Sequence, residues 1–191
     1  IDGSGDASET TIAGAVNNDG AFTVDPGVVF DGAITNNGTL TANGGTDFNG
    51  AVTNGGTLTA NGDTEFGGTV TNSGTLTANG VTEFGGGVTN NSTLAANATV
   101  TYLFESAALE NNGEIEIAEG QTFSIDASES GGDILVEGGP ITGPGTFNVN
   151  TGDGITATIR ALDHEFPNTE HTGSGTLEIN VTDDNGSQNS G

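Results

Sequence analysis

The chain is predicted to be all-β, a single β-solenoid of eighteen-residue, three-strand coils followed by a degenerate β-rich C-terminal section. Three observations predict it. A phrase recurs at fixed spacing: AITNNGTLTANGGTDFNG begins at Ala33, AVTNGGTLTANGDTEFGG at Ala51 and TVTNSGTLTANGVTEFGG at Thr69. Apolar residues alternate with threonines, as in Thr57-Leu58-Thr59, which is the two-residue period of a strand. Helix is excluded by the density of glycine, 34 in 191 residues, and by the lack of any 3.6-residue apolar spacing.

The elements follow in order. Residues 1–14 form an N-terminal arm, which a partner would order. The solenoid proper spans 15–125 in about six coils. A looser copy, AVNNDGAFTVDPGVVFDG, opens it at Ala15, and GVTNNSTLAANATVTYLF follows the three clear copies from Gly87. Each coil carries three apolar anchors. The first row is Val16, Ile34, Val52, Val70 and Val88; the second is Phe22, Leu40, Leu58, Leu76 and Leu94. Phe30, Phe48, Phe66, Phe84 and Tyr102 make the third. With a three-residue insertion near Glu105-Ser106-Ala107, ALENNGEIEIAEGQTFSI aligns as a sixth coil, its anchors being Leu109, Ile115 and Phe123. Residues 126–182 read as an irregular β-rich cap or docking section, with strands in GPITGPGTFNVN, GITATIRAL and GTLEINV. Residues 183–191 are a tail.

Stacking of coils brings identical side chains about 4.8 Å apart. Leucine then lies on leucine and phenylalanine on phenylalanine, in a narrow apolar core. Asn18, Asn36, Asn54, Asn72, Asn90 and Asn111 fall at one corner, and Asn43, Asn61, Asn79 and Asn97 at another. Such ladders can satisfy corner backbone groups through amide-to-amide hydrogen bonds. Glycines in turns such as Asn54-Gly55-Gly56 and Gly67-Gly68 are expected to supply positive φ. A right-handed parallel β-helix is the expectation for the winding.

Charge is the second strong signal. Twenty-six acids face one base, Arg160, and lysine is absent. Nucleic acid and anionic membranes are thereby excluded as partners, because phosphate contacts need cations. No run of apolar residues is long enough for direct membrane insertion as a helix. Asp47, Glu65 and Glu83 share one repeat position, so like charges about 4.8 Å apart repel by about 0.9 kcal/mol per pair in water. At about 1 M salt the Debye length is about 3 Å and most of that cost disappears. The lysine-free acidic surface therefore resembles the proteins of extreme halophiles, for which monovalent salt is required. The competing account is divalent-cation binding along acid rows, with Asp47, Glu65 and Glu83 as the candidate ligands. Asp183-Asp184-Asn185-Gly186 is too short for an EF-hand loop.

The phrases NNGTLTANG, NSGTLTANG and GPGTFNVN resemble repeats of secreted β-helical adhesins, such as autotransporter passengers and filamentous-haemagglutinin-type proteins. The resemblance spans roughly residues 15 to 150 and implies an extracellular, right-handed β-helix with a surface or adhesive role. It carries over no functional residues. The strong acidity departs from most bacterial examples and fits a haloarchaeal cell or one of its viruses better. Asn-x-Ser/Thr sequons at Asn37, Asn90, Asn91, Asn97, Asn180 and Asn185 are candidate glycosylation sites that suit a secreted chain.

Catalysis finds little support. Cysteine is absent, no serine sits in a Gly-x-Ser-x-Gly elbow, and the histidines, His164 and His171, lie in the irregular section without a ligand spacing of known geometry. No catalytic residue and no cofactor is expected. A Thr-x-Thr grid, Thr39 and Thr41, Thr57 and Thr59, Thr75 and Thr77, resembles the ice-binding faces of solenoid antifreeze proteins. Tandem duplication of an outward strand residue produces the same grid. The leading expectation is a structural subunit of an extracellular filament from a halophile. It would assemble head to tail with itself, through solenoid ends and terminal strands, for adhesion or matrix formation. Glycans or neighbouring cell surfaces are further partners. The alternatives are a viral or cell-surface receptor- or glycan-binding fibre and an ice-binding protein using the threonine face.

Overall fold

A computed structural model of the chain describes residues 10–103, 109–128, 134–162, 168–182 and 188–190. Three parallel sheets form a β-solenoid of about eight turns, and no helix occurs among the described residues. Each sheet is named here for the residue it buries in the repeats. In the second full coil Ile34–Asn36 belongs to the valine sheet, Thr39–Ala42 to the leucine sheet and Thr46–Phe48 to the phenylalanine sheet. Every coil pairs with the next in the register that the repeat dictates: Val52 on Val70, Leu58 on Leu76, Phe66 on Phe84.

Six side chains of each repeat point inward. In the third coil they are Val52, Asn54, Leu58, Ala60, Thr64 and Phe66, all nearly inaccessible to solvent. The three anchors are thus joined by three small or polar residues. Phe30, Phe48, Phe66 and Phe84 stack almost face to face, with centroids 5.2, 4.9 and 5.0 Å apart and ring planes within 14° of parallel. The identical backbone register imposes this spacing, and the rings gain dispersion contact along the axis.

The buried asparagines form a continuous chain. Asn18, Asn36, Asn54, Asn72 and Asn90 each donate through Nδ2 to Oδ1 of the asparagine in the following coil, at 2.7–2.8 Å. The same amide group of Asn36, Asn54 and Asn72 also donates to the carbonyl of Thr57, Thr75 or Thr93 across the corner. A primary amide carries two N–H donors, so each asparagine closes one corner and one rung without leaving a donor buried and unmet. Thr64 and Thr82 satisfy their buried hydroxyls locally, donating to the carbonyls of Gly62 and Gly80 at 2.9 and 3.0 Å.

Two expectations need correction. First, Phe123 does not continue the phenylalanine row. It pairs with Val100, while Ile125 pairs with Tyr102 and Val149 with Ile125. The strand Thr122–Ala127 has six residues with three inward positions, so the aromatic ring moves two residues along it and still enters the core. Second, glycines of the repeat corners are required by close packing, not by positive φ. Among the described glycines before residue 120, only Gly27, Gly44 and Gly45 have positive φ. Gly32, Gly50, Gly68 and Gly86 instead lie against the preceding coil, where a Cβ would overlap the carbonyl oxygen of the glycine below. The row Gly38, Gly56 and Gly74 is equally tight, yet Ser92 succeeds it. There the inter-coil hydrogen bond from Thr93 N to Gly74 O lengthens to 3.4 Å, against 2.7–2.9 Å in the three coils before. The Cβ of Ser92 is accommodated by that opening.

The stack continues through the section expected to be irregular. Ile134–Gly138, Ile141–Thr142 and Thr146–Thr151 make a further coil, and Thr156–Leu162, Asn168–Gly173 and Thr176–Thr182 extend two of the sheets. Strands lengthen from three or four residues in the repeats to as many as seven here. The expected insertion at Glu105-Ser106-Ala107 lies outside the described residues.

Candidate functional site: outer faces and ends of the stack

Three outer surfaces and two ends are available for function. The outer face of the phenylalanine sheet carries Val29, Asp47, Glu65, Glu83 and Thr101 in one row, set by the direct pairing of Asp47 with Glu65 and Glu65 with Glu83. Asp63, Val81 and Gly45 join the three acids around a shallow open depression. Val81, at 55% exposure, is the large apolar side chain left in water there. Strand pairing holds the carboxylates in a line one coil apart. Among the described residues, no three His, Cys, Asp or Glu side chains are arranged to hold a metal ion. The geometry spreads negative charge along a row in which Glu65 is exposed and Asp47 and Glu83 are half-buried, where salt screens it.

The leucine sheet presents the threonine grid. Thr39, Thr57 and Thr75 are exposed, Thr41, Thr59 and Thr77 half-buried, and the pairing aligns each with its equivalent in the next coil. Ala95 and then Glu114 and Glu116 replace the pattern toward the C-terminus. Thr142 returns to it, donating its hydroxyl to the Glu114 carboxylate at 2.7 Å.

The corners carry the remaining asparagines. Asn61 donates to Asn43, Asn79 to Asn61 and Asn97 to Asn79 in an exposed ladder running opposite to the buried one. Asn37 and Asn49 donate to carboxylates of the coil below, Asp19 and Asp31. Of the sequons, Asn37, Asn91 and Asn97 are exposed at corners. Asn90 is fully buried in the ladder, with both amide atoms engaged, so the folded chain cannot offer it to a glycosyltransferase. Asn180 belongs to the strand Thr176–Thr182, and Asn185 lies outside the described residues.

His171 ends the inward row that runs through Tyr102, Ile125 and Val149, and its Nε2 meets the Thr151 hydroxyl at 2.8 Å. His164 lies outside the described residues.

The two ends differ. At the N-terminal end the edge strands are Thr10–Ile12, Val16–Asn18 and Ala21–Val24, with Ile12, Val16 and Phe22 only partly buried against the core. The strand Thr10–Ile12 falls in the segment expected to be an arm and pairs with Val28–Phe30. At the C-terminal end each sheet stops at a different level. The leucine sheet stops at Ile141–Thr142 and the phenylalanine sheet at Asn168–Gly173. The valine sheet goes on to Thr176–Thr182, along which Gln188–Ser190 runs antiparallel. It is the one antiparallel pairing among the described strands. Comparison of the chain with protein-family models, curated proteins and solved structures finds no match, so its likeness to known proteins rests on the parallel β-solenoid itself.

Proposed function

We propose that this chain is a structural subunit of an extracellular filament, stacked head to tail through the ends of its solenoid. The observation that carries the reading is the N-terminal end, where three edge strands and the half-buried Ile12, Val16 and Phe22 face outward with no strand across them among the described residues. Open parallel edges template further strands, and polymer growth is one outcome that buries them. The long outer faces are polar and acidic, so lateral clumping is opposed while axial contact is not. Nothing in the described surface concentrates reactive groups, which favours a scaffold over an enzyme. Adhesion or matrix formation, in the manner of secreted β-helical adhesins, is the use that fits such a subunit.

Electron microscopy of the full chain in molar salt tests the reading. Uniform filaments are expected; monodisperse monomers across the accessible concentration range would remove it, and closed trimers would favour a receptor-binding fibre. The halophilic origin is a separate proposal, supported by 26 acids against one base. Screening of rows such as Asp47, Glu65 and Glu83 should raise the thermal midpoint steeply from about 0.1 M to about 3 M potassium chloride. A flat response by circular dichroism ends that proposal.

A second reading attaches to the leucine sheet, because Thr39, Thr57 and Thr75 are exposed and aligned over successive coils. A regular grid of hydroxyls and methyls can order surface water. Thermal hysteresis that is abolished by Thr57→Lys would support it, and the absence of hysteresis in the intact chain would dismiss it.

A further inference from the structure

We infer that a second copy docks in register on the C-terminal end, and that Gln188–Ser190 is an exchangeable cap which this docking displaces. The inference rests on the filament reading and names its contact. The phenylalanine sheet protrudes at the N-terminal end, since Thr10–Ile12 precedes the first strand of either other sheet. Among the described strands the same sheet ends at Asn168–Gly173, with none beyond it. The inward row that begins at Ile12 runs through Phe30 and Tyr102 and ends at His171; the outward row that begins at Thr11 ends at Glu170. Continuation of the ladder therefore sets Thr11 of the incoming copy on Glu170 and its Ile12 over His171, covering an apolar edge residue and an exposed imidazole together.

The same register decides what happens on the valine sheet. Its rows carry Asn17 up to Asn180 and Asn18 up to Val181. An incoming Val16–Asn18 would thus pair with positions that Ser190 and Asn189 already occupy. An antiparallel strand places its hydrogen-bonding groups differently from a parallel one, so it closes the edge to the next coil without imitating it. Three residues of cap are exchanged for three residues of incoming strand, and the phenylalanine-sheet contact is added. The leucine sheet, which stops lower, takes no part.

Cysteine cross-linking tests the register cleanly, because the chain has no cysteine of its own. Thr11 and Glu170 are both exposed, so Thr11→Cys with Glu170→Cys leaves the core untouched. Within one chain the two positions lie about eight strand spacings of about 4.8 Å apart, too far for a disulfide. Between docked copies they become lateral neighbours within bonding reach. Mild oxidation of the full-length double variant in molar salt is expected to give a ladder of disulfide-linked multimers on a non-reducing gel. Thr11→Cys with Thr172→Cys, two residues out of register, should give little. Removal of residues 183–191 from the first pair should raise multimer yield several-fold. Filaments by microscopy with no in-register ladder would overturn the docking while leaving the filament reading intact. Yield that falls on removing 183–191 would overturn the cap and make that segment a strand donor. Absence of both filaments and ladder would overturn the filament reading and this contact with it.

Discussion

From Ile34 to Phe84 the interior repeats the same six inward positions, and half of them hold asparagine, alanine or threonine. From Val100 to Ile159 those small and polar rows give way largely to apolar ones. The buried asparagine row stops at Asn111, whose amide turns to the carbonyls of Gly139 and Pro140. The threonine row becomes Val100, then Phe123 and Phe147, and the alanine row becomes Ile117. Hydrogen-bonded partners separated by 18 residues in the repeats are separated by 24 in the later coils. Two interiors thus fill one cross-section. The repeated coils are tied by ladders of identical polar groups, which work only if every member is present. The later coils use longer strands and bulkier apolar pairs, which tolerate changes of spacing because burial is not directional.

The aromatic stack should give the largest effect when broken. Phe66 is fully buried with a ring above and a ring below, about 5 Å away. Phe66→Ala should cost about 3–5 kcal/mol, since it loses burial and leaves a cavity in a column that cannot close. Phe147→Ala should cost less, because its ring neighbour among the described residues, Phe123, lies 6.3 Å away and tilted by 31°. Denaturant unfolding followed by circular dichroism measures both; equal losses would mean that stacking adds nothing to burial.

The asparagine ladder sharpens the contrast. Asn54→Ala strands the donor of Asn36 and the acceptor of Asn72, and frees the Thr75 carbonyl. Each orphaned buried group costs about 1–3 kcal/mol. Asn111→Ala, at the ladder's end, strands the Nδ2–Oδ1 rung from Asn90 and two corner carbonyls, but no further asparagine beyond it. Its smaller loss, by the same unfolding measurement, would show that the interior of the ladder is cooperative; equal losses would show independent rungs.

Glycine rows separate packing from conformation. Gly68→Ala should lose about 1–3 kcal/mol, because its Cβ meets the Gly50 carbonyl and the neighbouring coil must move. Ser92→Gly should change little, since the stack already opens there to 3.4 Å. A neutral Gly68→Ala, read from its thermal midpoint, would mean that the coils slide apart freely.

Much of this was legible in the sequence, and the reasons are physical. A repeat that copies itself every eighteen residues lets one coil constrain all the others, so the sheet assignment and the register of Val52, Leu58 and Phe66 followed directly. The inward alanines and threonines were legible too, through strict alternation: Ala60 lies two residues from Leu58, and Thr64 two from Phe66. They were missed because neither residue is apolar enough to stand out. Phe123 was misplaced because an aromatic residue near the expected spacing attracts the alignment, while the true register depends on strand length. The glycines were misread because inter-coil distance leaves no mark on a single coil. Of the candidate surfaces, sequence located the threonine grid and the acid row; it could not show that the three sheets stop at different levels, since that follows from long-range pairing.

The smallest effect concerns Tyr102, which stands where the phenylalanine column passes into the later coils. The side chain is fully buried, and burial pushes its phenol from the usual 10.0 up to about 12. Ionisation is therefore easier in the unfolded chain than in the native one. The phenol's contribution to stability is complete below about pH 10 and is lost as pH rises through about 12. Because the chain has one tyrosine and no tryptophan, phenolate absorbance reports this group alone. Titration should show ionisation coincident with unfolding, and Tyr102→Phe should flatten the alkaline loss of stability. Phenolate that forms at the ordinary pH in a still-folded chain would mean that the column opens to water at this coil, where the two interiors meet.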